Sequence, residues 1–442
     1  MSYPTIHSLF HDAVDHVCSD LSQHVARPGK DLTRDRKISA PKLITFLVSM
    51  GSSSTRNELL DFWDMDPAAP SGSALVQQRA KLRPSALESV FRHFSSSISS
   101  MEEKGRYRFL AADGSSFTFF SKPEFSRPEY LVREGHSAKG FYSIHLNAFY
   151  DLEKRVYTDA ILQPVHDKDE FRAFCSIVGR HAVLPGVRNV YIGDRGYCSY
   201  NNMAHVIENG QCFLFRTKDI HSKGLVGGFA FPDTDSFDTT VTVTLVRSHS
   251  RKIQVGEGCY RRFVDKKTSF DFVEYGSPSA YTLSFRVARF SLADDSYECV
   301  VTNLPRDEFP LERLKELYGA RWGVESSFRK LKYTVGLSNF HSKKPEFIQQ
   351  EMWARLITYN ITEALINRVV IEKRGTKHEY RVNFTTAVHI CRVSLRPTTR
   401  GNRIDVMALL RKELIPIRKE RKYARLKTAH FRKPRYFIYR AA

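Results

Sequence analysis

The segment YRFLAADG, which spans residues 107–114, alternates between two sets of side chains and ends in an Asp-Gly pair. Tyr107, Phe109 and Ala111 would share one face of a strand, because successive side chains of a strand point to opposite faces. An Asp-Gly pair commonly forms a turn. The segment therefore predicts a strand that ends in a turn at Asp113-Gly114, with one carboxylate at the strand end.

The residues after this strand predict further strands interrupted by helices. The expected strands lie at 140–150, 155–162 and 187–192, and the expected helices at 167–179 and 199–207. Three strands, a helix, a fourth strand and a helix form the order of a ribonuclease-H-like core, in which carboxylates at adjacent strand ends converge. We therefore expect an α/β fold with a mixed sheet and flanking helices, and Asp194 follows the fourth strand as a second candidate acid.

The residues before the first strand predict several short helices. Pro41 begins an apolar run that Gly51 ends, Ser54 or Thr55 can cap a second helix, and Ser73 can cap a third. Basic and amide side chains on such helices fit a small DNA-binding unit. They fit an ordinary helical cap on a neighbouring domain equally well.

Changes in composition divide the chain into five regions. Residues 217–290 are rich in Thr, Val, Phe, Ser and Gly and predict a separate all-β insertion. Residues 411–442 hold twelve Lys or Arg against two Glu, which is half of the chain's excess positive charge. The expected regions are a helical DNA-binding region at 1–100, the first part of the core at 101–216, the insertion at 217–290, the second part of the core at 291–375, and a basic helical DNA-binding or dimerisation segment at 376–442.

Composition and charge narrow the class of protein. The chain has 442 residues, 42% of them hydrophobic, and a formal net charge of +20, so it should fold and bind a polyanion, nucleic acid first. No apolar run approaches the ~20 residues that span a bilayer. No secretory signal is evident, so we expect a cytoplasmic protein without a membrane partner. The seven cysteines are scattered singly, which argues against a disulfide framework or a structural zinc site.

A long helix expected over 310–333 carries a second group of polar side chains. Tyr318, Arg321, Glu325 and Lys332 lie at offsets 0, 3, 7 and 14, which at about 100° per residue fall within a sector of about 60°. One carboxylate beside cations fits a phosphodiester site, in which the acid holds a metal and the cations contact phosphate oxygens. Asp113 and Asp194 alone would be read as turn residues. Together with Glu325, they form a set that one ribonuclease-H-like fold would bring together.

These residues make the chain resemble the insertion-sequence DDE transposases with the Tyr-Arg-Glu-Lys signature, the insertion sequence four family. The resemblance extends over nearly the whole chain. It includes VTNLP at 301–305, RWGVESSFR at 321–329, GLSNFHSKK at 336–344 and the basic segment after LIPIR at 414–418. It implies that Asp113, Asp194 and Glu325 bind two Mg²⁺ ions, with Mn²⁺ as a substitute, and catalyse phosphodiester hydrolysis, hairpin formation and strand transfer.

The resemblance also implies partners and contacts. The partners are double-stranded DNA, both as terminal inverted repeats of the element and as target, and a second copy of the chain in a synaptic complex, within a bacterial nucleoid. The implied DNA contacts are Tyr318, Arg321, Lys332, Lys343, Lys344, Arg418, Arg421 and Lys422. Some relatives stack a tryptophan of the insertion on a flipped base, but no tryptophan lies in 217–290. Tyr260, Phe263 or Tyr275 could substitute, although each could also be a core residue.

Two alternatives stay open at this stage. One is a DNA-binding protein derived from a transposase that no longer cuts DNA. The other is a simple metal-dependent endonuclease that stops after hydrolysis. The intact acids and signature argue against the first, and detection of joined products would separate a transposase from the second.

Overall fold

A computed structural model describes most of the chain. The described residues are 3–34, 36–101, 105–120, 122–125, 127–133, 140–181, 184–232, 234–250, 253–293, 296–371, 378–397 and 404–418. They form twelve α-helices, one ten-stranded sheet and one two-stranded sheet. Within these ranges, no helix has the length and apolar character that crossing a membrane requires.

The N-terminal part of the chain is helical, as predicted. Its helices are α1 (Tyr3–Ser19), α2 (Ala40–Ser49), α3 (Thr55–Phe62), α4 (Gly72–Arg79) and α5 (Pro84–Ser99). The side chain of Ser54 accepts a hydrogen bond from the backbone N–H of Asn57 and caps α3, as expected. The expected cap of the next helix was wrong. Ser71 rather than Ser73 accepts from the N–H of Ala74, because α4 begins two residues earlier in the chain.

The central strands have the predicted ribonuclease-H-like arrangement. The elements are β1 (Tyr107–Phe119), β2 (Leu131–Val132), β3 (Phe141–Asp151), β4 (Val156–Pro164), α6 (Glu170–Arg180), β5 (Arg188–Gly193), α7 (Tyr200–Glu208) and β6 (Cys212–Thr217). The order β4-β3-β1-β5-β6 is antiparallel on the β3 side, whereas β1, β5 and β6 are parallel. The two-residue strand β2 pairs with the first two residues of β3, Phe141 and Tyr142.

The expected turn at Asp113-Gly114 was wrong. Strand β1 continues through both residues to Phe119, with Asp113 opposite Ala148 and Phe119 opposite Tyr142 on β3. The long partner strand supplies ladder hydrogen bonds that override the local turn preference of an Asp-Gly pair. Asp113 therefore lies within a strand, at a point where only one neighbouring strand is still paired.

The β-rich insertion continues the central sheet. Its strands and the one that follows are β7 (Phe237–Val246), β8 (Tyr260–Phe263), β9 (Ala280–Ala293) and β10 (Ser296–Thr302). Strand β10 pairs with β6 and β9, and β9 pairs with β7, so the sheet runs unbroken from the core into the insertion. The expectation of a separate β unit is corrected, because β9 and β10 share seven register pairs.

The expected single helix over 310–333 is divided. Helix α8 (Leu311–Ala320) and helix α9 (Trp322–Arg329) meet at Arg321, and Lys330–Thr334 forms a π-helical turn. Hydrogen bonds from the Arg321 N–H to Tyr318 and from the Val324 N–H to Arg321 span only three residues and tighten the junction. Glycines at 319 and 323 weaken a regular helix on either side.

The last elements combine helices with a small sheet. They are α10 (Pro345–Ile366), β11 (Glu379–Val382), α11 (Phe384–Ser394), α12 (Val406–Lys412) and β12 (Leu414–Ile417), with β11 and β12 antiparallel. The C-terminal region is thus only partly helical. The basic run that follows Arg418, with Arg421 and Lys422, lies outside the described residues.

Two helical layers cover the sheet. Helix α10 is buried along almost its whole length and shares one apolar core with α1, α2, α5 and one face of β1, β3 and β4. Helices α6 and α7 cover the other face of the sheet and pack against the insertion strands. The N-terminal helices are therefore part of the main core, through residues such as Phe10, Phe46 and Phe91.

Candidate active site

The two predicted aspartates lie where two parallel strands separate. The last paired residues of β1 and β5 are Ala111 and Ile192. Asp113 and Asp194 each follow two residues later, Asp113 in the continuing strand β1 and Asp194 directly after β5. The gap between separating parallel strands is where open α/β sheets place their ligands, so both carboxylates meet at one sheet edge.

Each aspartate is held by the main chain that follows it. The N–H of Gly114 donates to Oδ1 of Asp113 at 2.8 Å, and the N–H of Gly196 donates to Oδ1 of Asp194 at 2.8 Å. The second bond belongs to the 3₁₀ turn Arg195–Tyr197, which Asp194 caps. These bonds fix one oxygen of each carboxylate and leave the other free to bind a ligand.

Helix α9 brings Glu325 to the two aspartates. Glu325 lies in the first turn of α9, where its Oε1 accepts a hydrogen bond from the Arg321 guanidinium at 2.9 Å. Phe328 and Leu331 fix this helix against the sheet by packing into the core that contains Ala111 and Phe117 of β1. We call Asp113, Asp194 and Glu325 the acid cluster.

The electrostatics of Asp113 show that the three acids are neighbours. Burial is the main cause that raises the pKa of Asp113 to about 6, with smaller contributions from the charges of Asp194 and Glu325, and the Gly114 N–H and Arg321 oppose it. Such a raised pKa is typical of a buried carboxylate with like charges nearby at a functional site. The acid cluster is thus short of positive charge.

The acid cluster fits a hard divalent cation by its chemistry. Carboxylate oxygens are the ligands that Mg²⁺ and Mn²⁺ prefer, and a cation would offset the burial and the repulsion that together raise the pKa of Asp113. Within the described part of the chain, no three His, Cys, Asp or Glu side chains are arranged closely enough to hold a metal ion as they stand. Glu325 is paired with Arg321.

Lys332 and Tyr318 differ in their neighbours and in their burial. The Lys332 ammonium lies 5.0 Å from the ring centroid of Phe117 on β1, and the charge of Asp113 partly offsets the lowering of its pKa by burial. Tyr318 is only 2% exposed, and the Arg321 guanidinium lies 5.6 Å from its ring centroid. The structure therefore brings Lys332 to the acid cluster, whereas Tyr318 lies beneath Arg321.

The remaining predicted DNA contacts are more distant from the acids along the chain. Lys343 lies 5.5 Å from the ring centroid of Phe120, just beyond the end of β1, and Lys344 lies 5.3 Å from that of Phe347 at the start of α10. Arg418 is exposed after β12. Lys343 thus extends the positive surface of Lys332 along the outer end of β1.

The aromatic candidates of the insertion differ in exposure. Phe263 is 40% exposed and stacks on His249, and Tyr275 is 51% exposed with Arg247 beside its ring. Tyr260 accepts a hydrogen bond from the N–H of Ala230 and packs on Phe229. Phe263 and Tyr275 therefore present more free ring surface than Tyr260.

Sequence reasoning missed a second polar group beside the aspartates. The imidazole of His145 and the carboxylate of Glu170 lie against Gly114, and the ammonium of Lys168 also contacts Glu170. His145 alone pointed to this group in the sequence, as a polar residue within an apolar strand. Glu170 resembles any acidic residue in the first turn of a helix, so its position gave no signal.

Comparison with known families agrees with this geometry. The profile of the family described as Transposase DDE domain matches residues 104–361, more than half of the chain, and this range contains all three acids. The chain belongs to this family of DDE transposases, as the sequence predicted. Members of the family generally use divalent metal ions.

Individual relatives match over short segments. The transposase InsG of insertion sequence element IS4 from Escherichia coli K12 is 33% identical over 69 residues, 15% of this chain and 16% of that protein. The putative transposase InsL of element IS186A from the same organism is 30% identical over 67 residues, 15% of this chain and 18% of that protein. The matches thus span less than one fifth of either relative.

One solved structure is similar over a longer range. It is the piggyBac transposase synaptic complex with hairpin DNA, determined by cryo-electron microscopy. The similarity covers 89% of this chain and 80% of that chain, with 9% sequence identity and a TM-score of 0.46.

Proposed function

We propose that this protein is a metal-dependent DNA transposase that moves an insertion sequence by a cut-and-paste reaction. One observation supports the proposal: Asp113 and Asp194 follow the ends of the paired parts of β1 and β5, and Asp194 and Glu325 are near enough to Asp113 for their charges to act on its pKa. Membership of the DDE transposase family supports the same reading. The excess of positive charge favours nucleic acid as the substrate.

The acid cluster would hold the metal. Asp113 and Asp194 offer one free carboxylate oxygen each, and Glu325 becomes a third donor when its bond with Arg321 opens. When bound, two Mg²⁺ ions would activate the attacking oxygen and stabilise the leaving oxygen. The strand position of Asp113 and the cap position of Asp194 keep these donors rigid, which favours a fixed spacing between the ligands.

The reaction we propose consists of displacements at phosphorus. In hydrolysis, water forms a new P–O bond, the bond to the 3′ oxygen breaks, and the water proton passes to solvent, which leaves a 5′-phosphate and a 3′-hydroxyl. In hairpin formation, that hydroxyl attacks the opposite strand and displaces another 3′ oxygen. After the hairpin is reopened by water, the same type of attack joins the element to target DNA. No covalent bond to the protein is needed.

Cations around the acid cluster would position the phosphates. Arg321 can contact phosphate once it releases Glu325, and Lys332 can contact the phosphate at the cut because it lies on the same side of β1 as Asp113. Lys343 and Lys344 would extend this contact along the DNA. We propose that Tyr318, which is buried, acts by holding Arg321 in place.

Further DNA contacts would come from the C-terminal segment. Arg418, Arg421 and Lys422 belong to the most basic part of the chain, and such a segment neutralises phosphates without reading sequence. We also propose that two copies of the chain act together on the paired ends of the element. Phe263 or Tyr275 would stack on a base displaced during hairpin formation, since each has an exposed ring.

A plasmid assay tests the proposal. Purified protein would be incubated with Mg²⁺ and a supercoiled plasmid that carries the source gene with its flanking DNA, and all new ends would be sequenced. We expect excision at inverted repeats and joining to new sites, and loss of both with Glu325→Gln. Glu316→Gln, which changes an exposed glutamate of the neighbouring helix α8, is the matched control and should retain activity.

Two results would contradict the proposal. Tight binding to the ends without cleavage by the wild type would identify a DNA-binding derivative. Cleavage that leaves 3′-hydroxyls but never joins them to target DNA would identify a simple endonuclease.

A further inference from the structure

A chain of three polar side chains, of which the middle one is buried, lies behind the two aspartates on the face of the sheet that α6 covers. It begins at Ser116 on β1, passes through His145 on β3 and ends at Glu170 in the first turn of α6. The side chain of His145 is 3% exposed, whereas that of Glu170 is 30% exposed. Ser116 is exposed, so only the middle of the chain, His145, is buried, and the Glu170 end lies beside Gly114.

Each link of this chain is within hydrogen-bonding distance. Nε2 of His145 lies 2.9 Å from Oε1 of Glu170, and Nδ1 lies 3.0 Å from Oγ of Ser116. The Ser116 hydroxyl can donate to Nδ1 when the imidazole carries its proton on Nε2, and that proton then faces the Glu170 carboxylate. The Lys168 ammonium lies 3.0 Å from the same oxygen of Glu170.

The polar chain lies close to the main-chain segments whose N–H groups hold the two aspartates. A Cβ atom at Gly114 would lie 2.5 Å from Nε2 of His145 and 3.0 Å from Oε1 of Glu170, so both side chains abut this backbone. A Cβ atom at Gly196 would lie 4.0 Å from Oε2 of Glu170. The Glu170 carboxylate thus lies against Gly114 and near Gly196, whose N–H groups donate to Asp113 and Asp194.

This location matters because β1 and β5 are no longer paired there. Their ladder ends at Ala111 and Ile192, so strand hydrogen bonds do not fix the spacing of the residues that follow. The His145–Glu170 pair, which joins β3 to α6 and lies near the turn after β5, would supply such a spacing by another route. Metal ligands held by a supporting shell of hydrogen bonds bind their ion more tightly than unsupported ligands.

We propose that Glu170, held by His145, is a positioning residue that sets the distance between Asp113 and Asp194 for metal binding. This inference rests on the proposed function, because it assigns the two aspartates to one metal site. Glu170 acts through the main chain of Gly114 and Gly196. We also expect that residue 114 must be glycine, because any side chain there would displace the imidazole of His145.

Metal binding measured directly tests the inference. The free Mn²⁺ signal in electron paramagnetic resonance would be titrated with full-length wild type, Glu170→Gln, His145→Gln and His145→Leu. We expect Glu170→Gln to weaken Mn²⁺ binding about tenfold, the size typical of lost support around metal ligands. His145→Gln keeps an N–H donor for Glu170 and should bind Mn²⁺ more tightly than His145→Leu.

A matched control and a second readout separate positioning from simple stability. Glu88→Gln removes a comparably exposed, ion-paired glutamate from α5 and should leave Mn²⁺ binding unchanged. The Mg²⁺ concentration for half-maximal cleavage should rise about tenfold in Glu170→Gln, while DNA binding in chelator stays unchanged. A purely structural role would lower the melting temperature without moving the metal dependence.

Every outcome bears on the inference. Unchanged Mn²⁺ binding in a folded Glu170→Gln protein would overturn it, and so would wild-type protein that binds no Mn²⁺. If Glu170→Gln does not fold, Lys168→Met removes the exposed partner alone and should weaken Mn²⁺ binding in the same direction, and no change would overturn the inference. Wild type that binds Mn²⁺ but cuts no DNA would refute the proposed function, while the Mn²⁺ titrations would still decide the role of Glu170.

Discussion

Two groups of charged side chains in this protein differ in how much opposite charge lies beside their carboxylates. The first is the acid cluster at the sheet edge. The second, which we call the α10 charge network, lies between helix α10 and the N-terminal helices and consists of Arg79, His341, Glu351 and Arg355. The α10 charge network is buried and the acid cluster is half-buried, so the cost of removing charge from water acts on both and more strongly on the first.

The two groups differ in how their charges are compensated. In the α10 charge network, Glu351 accepts from Arg79 at 3.0 Å and from the His341 N–H at 3.0 Å. Burial alone would raise its pKa, but Arg79 and His341 hold the pKa at about 2. In the acid cluster, the pKa of Asp113 is raised to about 6. We infer that a buried carboxylate with opposite charges beside it connects parts of the fold. A carboxylate whose pKa is raised because it lacks enough opposite charge indicates a site for a cation.

The largest expected effect is on catalysis at the acid cluster. Glu325→Gln keeps the shape of the side chain but removes a metal donor, so we expect the rate of end cleavage to fall at least about 10³-fold. The free energy of unfolding should change little, because Glu325 is partly exposed and its only described ion pair is with Arg321. Cleavage kinetics on end DNA and urea denaturation check both parts. Cleavage by Glu325→Gln at nearly the wild-type rate would show that Glu325 is not a catalytic residue.

The next effect is on stability at the α10 charge network. Glu351→Gln leaves Arg79 buried without its counter-charge, so we expect a loss of about 3–5 kcal/mol in the free energy of unfolding. Because the folded pKa of Glu351 is depressed, its stabilisation is present above pH about 4.5 and is lost as pH falls toward 2. Urea denaturation at several pH values measures this. A loss below about 1 kcal/mol would show that the network does not connect the layers.

A smaller effect is expected from the raised pKa of Asp113. The folded protein holds this proton more tightly than the unfolded chain, so its contribution to stability is present below pH about 4 and is lost as pH rises to about 6. Asp113→Asn should therefore gain at most about 3 kcal/mol relative to wild type between pH 4 and 7.5 in chelator. Denaturation of both proteins across this pH range is the measurement. Equal pH dependence would mean that Asp113 is compensated after all.

The smallest effect is expected at a partly exposed ion pair on helix α5. Glu88 and Arg92 are four residues apart on α5 and each is about one third exposed. Glu88→Gln should change the free energy of unfolding by about 0.5 kcal/mol or less, because solvent screens such pairs. Denaturant titration measures it at low and high salt. A change as large as that of Glu351→Gln would contradict the link between compensation, burial and energy.

Local patterns in the sequence were enough to predict the core. Period-two alternation and the order of elements predicted β1, β3, β4 and β5 with the helices after them, and motif spacing singled out Asp113, Asp194 and Glu325. The pattern at Asp113-Gly114 misled because the ladder with β3 decides whether a strand continues. Helical spacing likewise gave no sign of the break at Arg321.

What could not be predicted depends on contacts between distant segments. The α10 charge network joins Arg79 to Glu351, which are 272 residues apart. The polar chain from His145 to Glu170 becomes meaningful only when the sheet brings both against Gly114. A buried polar residue in a strand indicates that a hydrogen-bonding partner is nearby, but the sequence does not identify that partner. The continuation of the sheet into the insertion similarly depends on how β9 and β10 pair.

The central claim is that the uncompensated acid cluster is the metal site. Anomalous diffraction at the manganese edge, from crystals of the protein with Mn²⁺ and end DNA, tests it most directly. We expect manganese between Asp113 and Asp194, with Glu325 released from Arg321 as a further ligand, and no manganese at the α10 charge network. Manganese bound elsewhere, or an Arg321–Glu325 pair that stays closed beside an empty acid cluster, would contradict the account.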